Sequence, residues 1–314
     1  MDGIMPDKAR EPKIDMSAFN VQKHRRAPRV LGLSAPVASR RMRPRRSLTL
    51  ILATTWVAFA LLLAITANWL PIRSPIVPIG ASNAPPHWGS QFLGLDVVGR
   101  SMVSRIVYGA RTSYVIAIGT TAIALCVGCL IGLLAVYFRG VVNFFADLLA
   151  NVILSIPGLL LLITIASVVT PSYEEVIGAI SLVLLPGFIR VSRSIALAQI
   201  EGLYVVAAHG LGASPARIIT RELLPNTLVA LITYAGIVLP SVMLTEGGLS
   251  YLGLGIPPPA SSWGEMIALG QADLAQAPWQ AIIPSIIFAV NVFALFILAD
   301  WLRARLDLKG VDVQ

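Results

Sequence analysis

The chain of 314 residues contains only four lysines, two cysteines and three histidines, and charged residues make up 13% of it. Each shortage excludes something. Lys8, Lys13, Lys23 and Lys309 all lie towards the two ends, so arginine is the only strong cation of the interior. Two cysteines build no disulfide scaffold. Cys126 and Cys129 form a C-x-x-C inside an uncharged apolar run, where small helix-packing residues are expected rather than redox or metal chemistry. His24, His87 and His209 have no histidine or cysteine partner at ligand spacing, so no metal site is expected. There is no G-x-x-x-x-G-K-[ST] phosphate loop, and the one glycine beside a lysine follows it, at Gly310. Ser250 with Glu246, and Ser261 with Glu265, offer a hydroxyl near an acid. Only His87 falls on the same side of the chain's expected topology, so hydrolase chemistry has little support.

What is abundant is apolar. Such residues reach 56%, and the mean hydropathy is +0.78, whereas soluble domains carry roughly half apolar and a quarter charged residues. A soluble fold of this length could not hide that much apolar side chain, so the middle of the chain is read as adapted to lipid. The net charge of +8 does not point to nucleic acid, because the basic residues form no face on a folded domain. Half of the 24, from Lys8 to Arg46, precede the first hydrophobic segment, where basic residues hold a chain end on the cytoplasmic side.

A helix crosses about 30 Å of hydrocarbon with roughly 20 mostly apolar residues. Charge-free intervals of that length occur at Ser47 to Ile72, Thr112 to Phe138, Leu148 to Tyr173, Leu223 to Thr245 and Leu274 to Ala299. A sixth, about Val176 to Ala198, is interrupted by Arg190 and Arg193 after Pro186 and Gly187; long arginine side chains near a helix end can reach the headgroups. The fold class expected is therefore an all-α integral membrane protein with about six transmembrane helices. The stretch Leu48 to Leu70 is too long and too late for a signal peptide, and is expected to be retained.

Six crossings from a basic tail place both termini in the cytoplasm. Loop charge agrees, with Arg139, the 190 to 225 region and Arg303, Arg305 and Lys309 on the cytoplasmic side, and no Lys or Arg in 170 to 175 or 255 to 278. The exception is Arg73, Arg100, Arg105 and Arg111 in the first outward segment. The expected organisation is a disordered basic tail over 1–46 that can touch anionic lipid headgroups, a first transmembrane helix over 47–72, an extracytoplasmic segment over 73–111, a five-helix core over 112–302 and a cytoplasmic end over 303–314. Residues 71 to 95, rich in Pro, Gly, Ser and Asn, read as irregular loop.

Within the spans, Gly128 and Gly132 stand four apart with Cys129 and Ala135 nearby, a spacing that lets two helices approach closely in lipid. Asn151, Asn291 and Glu246 are costly against lipid and are expected to face a helix interface or a cavity. They are the candidates for a translocation pathway, with pathway lining and structural hydrogen bonding both open for Glu246.

Between the fourth and fifth spans, residues 204 to 225 form a small-sided helix around Ala207, Ala208 and Leu211, broken at Gly212. Ala213-Ser214-Pro215 then restarts it, Ser214 as N-cap and Pro215 at the first helical position. The second helix sets Ile218, Ile219 and Leu223 on one side and Arg217 with Arg221 on another, and Pro225 is expected to end it. Such a helix-turn-helix suits docking into a groove on another protein.

Here the chain resembles the inner-membrane permeases of binding-protein-dependent ABC importers, specifically the dipeptide and oligopeptide branch. The family's Glu-Ala-Ala, three residues, Gly, and downstream Leu-Pro motif is carried by Ala207, Ala208, Gly212, Leu224 and Pro225, with Val206 where the glutamate usually stands. Gly94-Leu-Asp-Val-Val-Gly-Arg-Ser-Met-Val-Ser-Arg-Ile-Val-Tyr-Gly-Ala-Arg111 resembles the family's G-T-D-x-x-G-R-D-x-x-S-R-x-x-Y-G-A-R block, departing at Leu95 and Ser101. Glu246 to Pro259, Ser262-Trp-Gly264, and the ending Asp300-Trp-Leu-Arg303 with Leu306-Asp307 match as well. The resemblance implies a type I importer permease fold and a non-catalytic subunit. It also implies a second homologous permease, two ATPase subunits that bind the ATP and magnesium, and an extracytoplasmic peptide-binding protein. By the same resemblance Ala207, Ala208, Leu211, Gly212, Ala213, Ser214, Arg217 and Pro225 belong to the segment that couples to the ATPase. A stand-alone secondary transporter or channel is the competing class; it would carry ionisable residues near mid-membrane, which these spans largely lack.

Overall fold

The computed structural model describes residues 48–88 and 92–310, with side chains to residue 305. The tail expected over 1–46 lies outside the described residues. Among those described the chain is helical and forms no strand, Leu95 and Ser101 making an isolated bridge. The helices are α1 (Leu48–Thr66), α2 (Met102–Phe138), α3 (Gly140–Leu154), α4 (Gly158–Val168), α5 (Tyr173–Ile200) and α6 (Leu203–Gly210). They are followed by α7 (Pro215–Arg217), a π turn (Ile218–Leu223), α8 (Leu224–Tyr251), α9 (Trp263–Ala272) and α10 (Trp279–Gly310). Five helices are long and apolar enough to cross a membrane, and α3 with α4, bent by 84°, makes a sixth crossing when the pair is read as one broken span. Successive crossings leave residues 67–101 and 252–278 at one end, the loop end, and residues 201–217 at the other, the short-helix end.

Two boundaries differ from the sequence expectation. Helix α2 begins at Met102 rather than at the charge-free Thr112, because Ser101 caps it and Arg105 is neutralised in place. Helix α5 covers the interrupted span expected at about Val176 to Ala198 and runs unbroken through Pro186 and Gly187; in lipid a broken backbone exposes groups that must find other partners, so helices persist through proline. Pro225 does not end the second short helix either. α7, the π turn and α8 form one helix, Pro215–Tyr251, and the widened turn pairs the Leu224 amide with the Ile219 carbonyl just before the proline that lacks a donor.

Packing centres on α2 against α5. A Cβ on Gly128 would collide with the Phe188 Cβ, and one on Gly132 would stand 2.6 Å from the Ser192 Cβ. The missing side chains thus let the two backbones meet, as the four-residue spacing predicts. Ser192 Oγ donates to the Cys129 carbonyl at 3.1 Å, and both cysteines are free thiols. Phe188, Ile218, Leu223 and Leu231 close this core towards the short-helix end. Trp263 anchors the other core: it is buried, donates to the Ile106 carbonyl at 3.1 Å and stacks edge-on with Tyr114 and Phe288. The loop before α2 is irregular as expected but tied down. Asn83 donates to Asp273 at 3.0 Å, and Gln280 donates to Asn83 Oδ1 at 2.7 Å and to the Leu95 carbonyl at 3.1 Å.

Candidate functional site

At the short-helix end, α6 stops at Gly210 and the chain reverses at Gly212, whose φ of +79° is a left-handed conformation that favours glycine. Ser214 Oγ accepts from the Arg217 amide at 3.4 Å with Pro215 at the first helical position, the predicted restart. Ile218, Ile219 and Leu223 are buried and fix the segment to the bundle. Leu203 and Leu211, by contrast, are 88% and 89% exposed, and Val206 is exposed beside them. Ala207, Ser214, Arg217 and Pro225 are exposed too, while Ala208 and Ala213 are half-buried. Three large apolar side chains turned outward on α6 and the turn that ends it, with Arg217 and Arg221 exposed on the segment that follows, form a surface suited to contact with another protein. Val206 presents a methyl surface in place of the carboxylate usual in the resembled motif.

Across the broken third span, α3 carries Asn143, Asp147 and Asn151 at successive i, i+4 positions, facing Arg193 and Arg190 of α5. Asp147 pairs with Arg193 and accepts from Asn143 at 3.3 Å, and Arg190 donates to Asn151 Oδ1 at 2.9 Å. The sequence reading singled out Asn151 but missed Asp147 and this pairing; three polar residues on one stripe of an otherwise apolar helix were the signal. Asn151 and Arg190 are exposed on the surface of the chain.

The other two polar residues expected in a pathway lie inside the packing. Asn291 is fully buried, accepting from the Tyr114 hydroxyl at 2.7 Å and contacting the Met243 sulfur. Glu246 is fully buried, accepts from Ser250 at 2.8 Å through Oε1 and leaves Oε2 without a partner, with the Ser113 and Ser262 hydroxyls near it. The pairing of Ser261 with Glu265 does not form: Ser262 caps α9 through the Glu265 amide, and the Glu265 carboxylate turns to Arg105. His87 is exposed, with its ring Nδ1 in contact with the Trp88 carbonyl at 3.2 Å.

That arginine organises the loop end. Arg105 is buried, with one guanidinium nitrogen bonded to Asp96 and the other to both oxygens of Glu265 at 2.8 and 2.6 Å. Asp96 also takes Arg100 Nε at 2.6 Å and the amides of Val98 and Arg100. Burial opposes the charge on Asp96, but the Arg100 amide, the Arg105 guanidinium and the Arg100 side chain outweigh it and hold its carboxyl below the usual range. Glu265 has fewer such donors, and its burial pushes its carboxyl upward despite Arg105. Two of the four arginines that spoiled the outward charge pattern are thus internally neutralised. Ser101, a departure from the resembled block, still caps α2 through the Ser104 amide at 3.5 Å, as the aspartate it replaces would.

The chain is similar to known proteins along most of its length. Residues 124–309 match the family described as binding-protein-dependent transport system inner membrane component. The di/tripeptide transport system permease protein DppC of Pseudomonas aeruginosa is 32% identical over 80% of this chain and 86% of that protein. A putative peptide permease protein of Brucella ovis is 31% identical over 89% of this chain and 92% of its own length. A putative peptide transport system permease protein of Brucella suis is 32% identical over 86% and 90%. Among solved structures, an inward-facing conformation of the MetNI methionine ABC transporter aligns over 65% of this chain and 97% of that one, with a TM-score of 0.49 and 17% identity. The match over residues 124–309 and the similarity along most of the chain establish that this multi-pass membrane protein belongs to the binding-protein-dependent transport system inner membrane component family, the permeases of ABC transporters.

Proposed function

We propose that this chain is the passive subunit of an ATP-driven importer that carries peptides delivered by an extracytoplasmic binding protein. The observation that carries the reading is the turn at Gly212, which presents Leu203, Val206 and Leu211 outward on a segment locked to the bundle by Ile218, Ile219 and Leu223. The turn leads at Pro215 into the 37-residue helix Pro215–Tyr251, which would carry a push along the whole span. ATPase subunits, holding ATP and magnesium, would grip residues 204–225 and bring this segment towards its counterpart on a second, homologous permease. The names of the similar proteins support peptides as cargo.

In this reading the short-helix end and both termini are cytoplasmic, and 73–111 with 252–278 face outward in a bacterial inner membrane. The outward ends of α8 and α9, with Pro257, Pro258 and Pro259, would meet the binding protein. The test is reconstitution of the chain with its second permease and ATPase subunits in proteoliposomes. Uptake of a labelled dipeptide is expected to need both ATP and binding protein; uptake driven by an ion gradient alone would make the chain a secondary transporter.

A further inference from the structure

The surface where α3, α4 and α5 meet is unsuited to lipid for two independent reasons. The third span is broken by 84°, and Leu154, Ser155, Ile156 and Pro157 at the break are exposed. Irregular backbone at membrane depth is tolerated only when buried in protein or facing water. Beside the break stand exposed Arg190 and Asn151. At 1.5 Å per residue, Arg190 lies about 5 Å from the midpoint of α5, well inside the ~15 Å half-thickness of hydrocarbon when that helix is centred in it. Arg190 is thus not near a helix end, contrary to the expectation that its side chain reaches the headgroups, and a charge held there against hydrocarbon is costly.

The chemistry of the pair is one-sided. Arg193 is matched with Asp147, whereas Arg190 has no carboxylate partner among the described residues. One nitrogen of its guanidinium is held by Asn151 Oδ1, which orients the group and leaves most of its five N–H donors free. The Asn151 amide nitrogen adds two N–H donors beside the guanidinium, while its Oδ1 is engaged by Arg190. A cluster of donors with a positive charge, beside an Asp147 carboxylate already taken by Arg193, fits a carboxylate, and arginine binds that group through two parallel bonds.

We infer that Arg190 and Asn151 form a carboxylate-binding site on the translocation path, taking the terminal carboxylate of a peptide in transit. The inference rests on the reading of the chain as a peptide importer's permease. The terminal carboxylate is the one acidic group every linear peptide carries, so a site for it tolerates any side chain. Exposed Leu148, Val152 and Leu154 beside it supply apolar wall for those side chains.

The experiment compares a labelled dipeptide with its C-terminal amide in proteoliposomes holding the complete importer, wild type or Arg190→Gln, with saturating loaded binding protein. The binding protein is common to both, so a change in the acid-to-amide ratio of uptake between wild type and variant arises in the permease. Arg190→Gln is expected to lower that ratio about tenfold or more, through loss of acid uptake, with amide uptake and ATP hydrolysis preserved. Arg190→Lys, which keeps the charge without the fork, and Asn151→Ala, which frees the guanidinium, are expected to fall between, and they serve if Arg190→Gln does not assemble. A ratio unchanged in the assembled variants, with acid and amide slowed alike, overturns the site and assigns Arg190 to the contact with the second permease. Import of neither form by the wild type overturns the peptide reading, and this site with it.

Discussion

Replacing Arg105 by methionine tests the loop end most severely. The arginine is 1% exposed and is the cation bonded to Glu265, at 2.8 and 2.6 Å. Asp96 would keep Arg100 and two backbone amides, so its loss is partial. Glu265 would keep no hydrogen-bonded cation, and breaking a buried pair by removing one partner costs about 3–5 kcal/mol. Most of that cost is a stranded charge rather than lost packing, since methionine refills much of the volume. Adding Glu265→Gln should therefore recover more than half of it, leaving the double variant about 1–2 kcal/mol below wild type by the same reasoning. Denaturant unfolding of the purified protein in detergent, followed by tryptophan fluorescence, reads this directly, because the buried Trp263 opens the same short helix α9 that carries Glu265. A loss below about 1 kcal/mol for Arg105→Met, or no recovery in the double variant, would refute the role given to this pair.

Three further outcomes follow from the packing and the charges. Gly132→Val, whose Cβ would lie 2.6 Å from the Ser192 Cβ and 3.0 Å from the Arg193 amide, should cost about 3 kcal/mol, the upper part of the overpacking range, whereas Gly178→Ala, with open space around it, should melt near wild type. Asn291→Leu should cost about 1–3 kcal/mol by stranding the buried Tyr114 hydroxyl, and adding Tyr114→Phe should recover much of that in a double-mutant cycle. The two loop-end carboxylates should respond to pH with opposite sign in melting curves. Glu265, raised by burial, binds its proton more readily folded than unfolded, so its contribution grows as pH falls and is lost as pH rises, and wild type should gain on Glu265→Gln with acidification. Asp96, held low, contributes above the ordinary aspartate value and loses this as pH falls through its lower folded value, so the advantage over Asp96→Asn should shrink only in strong acid.

Apolar length and glycine spacing made the bundle legible in the sequence, because lipid leaves a chain few alternatives to helices. The interruptions were harder to place. Pro186 with Arg190 and Arg193 looked like the weak point, yet α5 is continuous, and the break falls at Pro157 in an interval that no charge interrupts. Charge marks cost in lipid; it does not mark where a backbone bends. At the short-helix end the turn at Gly212 and the cap at Ser214 were readable because φ and capping are local properties. The union of Asp96, Arg105 and Glu265 was not, since it joins residues 160 positions apart and only the fold brings them together. The stripe of Asn143, Asp147 and Asn151 is legible in the sequence, but Asp147 bounds the charge-free interval that opens at Leu148 and so cuts the stripe in two.

Coupling through residues 204–225 is tested most directly by the ratio of peptide imported to ATP hydrolysed in the reconstituted importer carrying Gly212→Pro. Proline fixes φ near −65°, where the native turn needs +79°, and nothing lies within 4 Å of the position to disturb insertion of the bundle. Continued ATP hydrolysis with uptake lost is the expected result. Wild-type uptake per ATP in that variant would contradict the central claim that this turn connects the bundle to its motor.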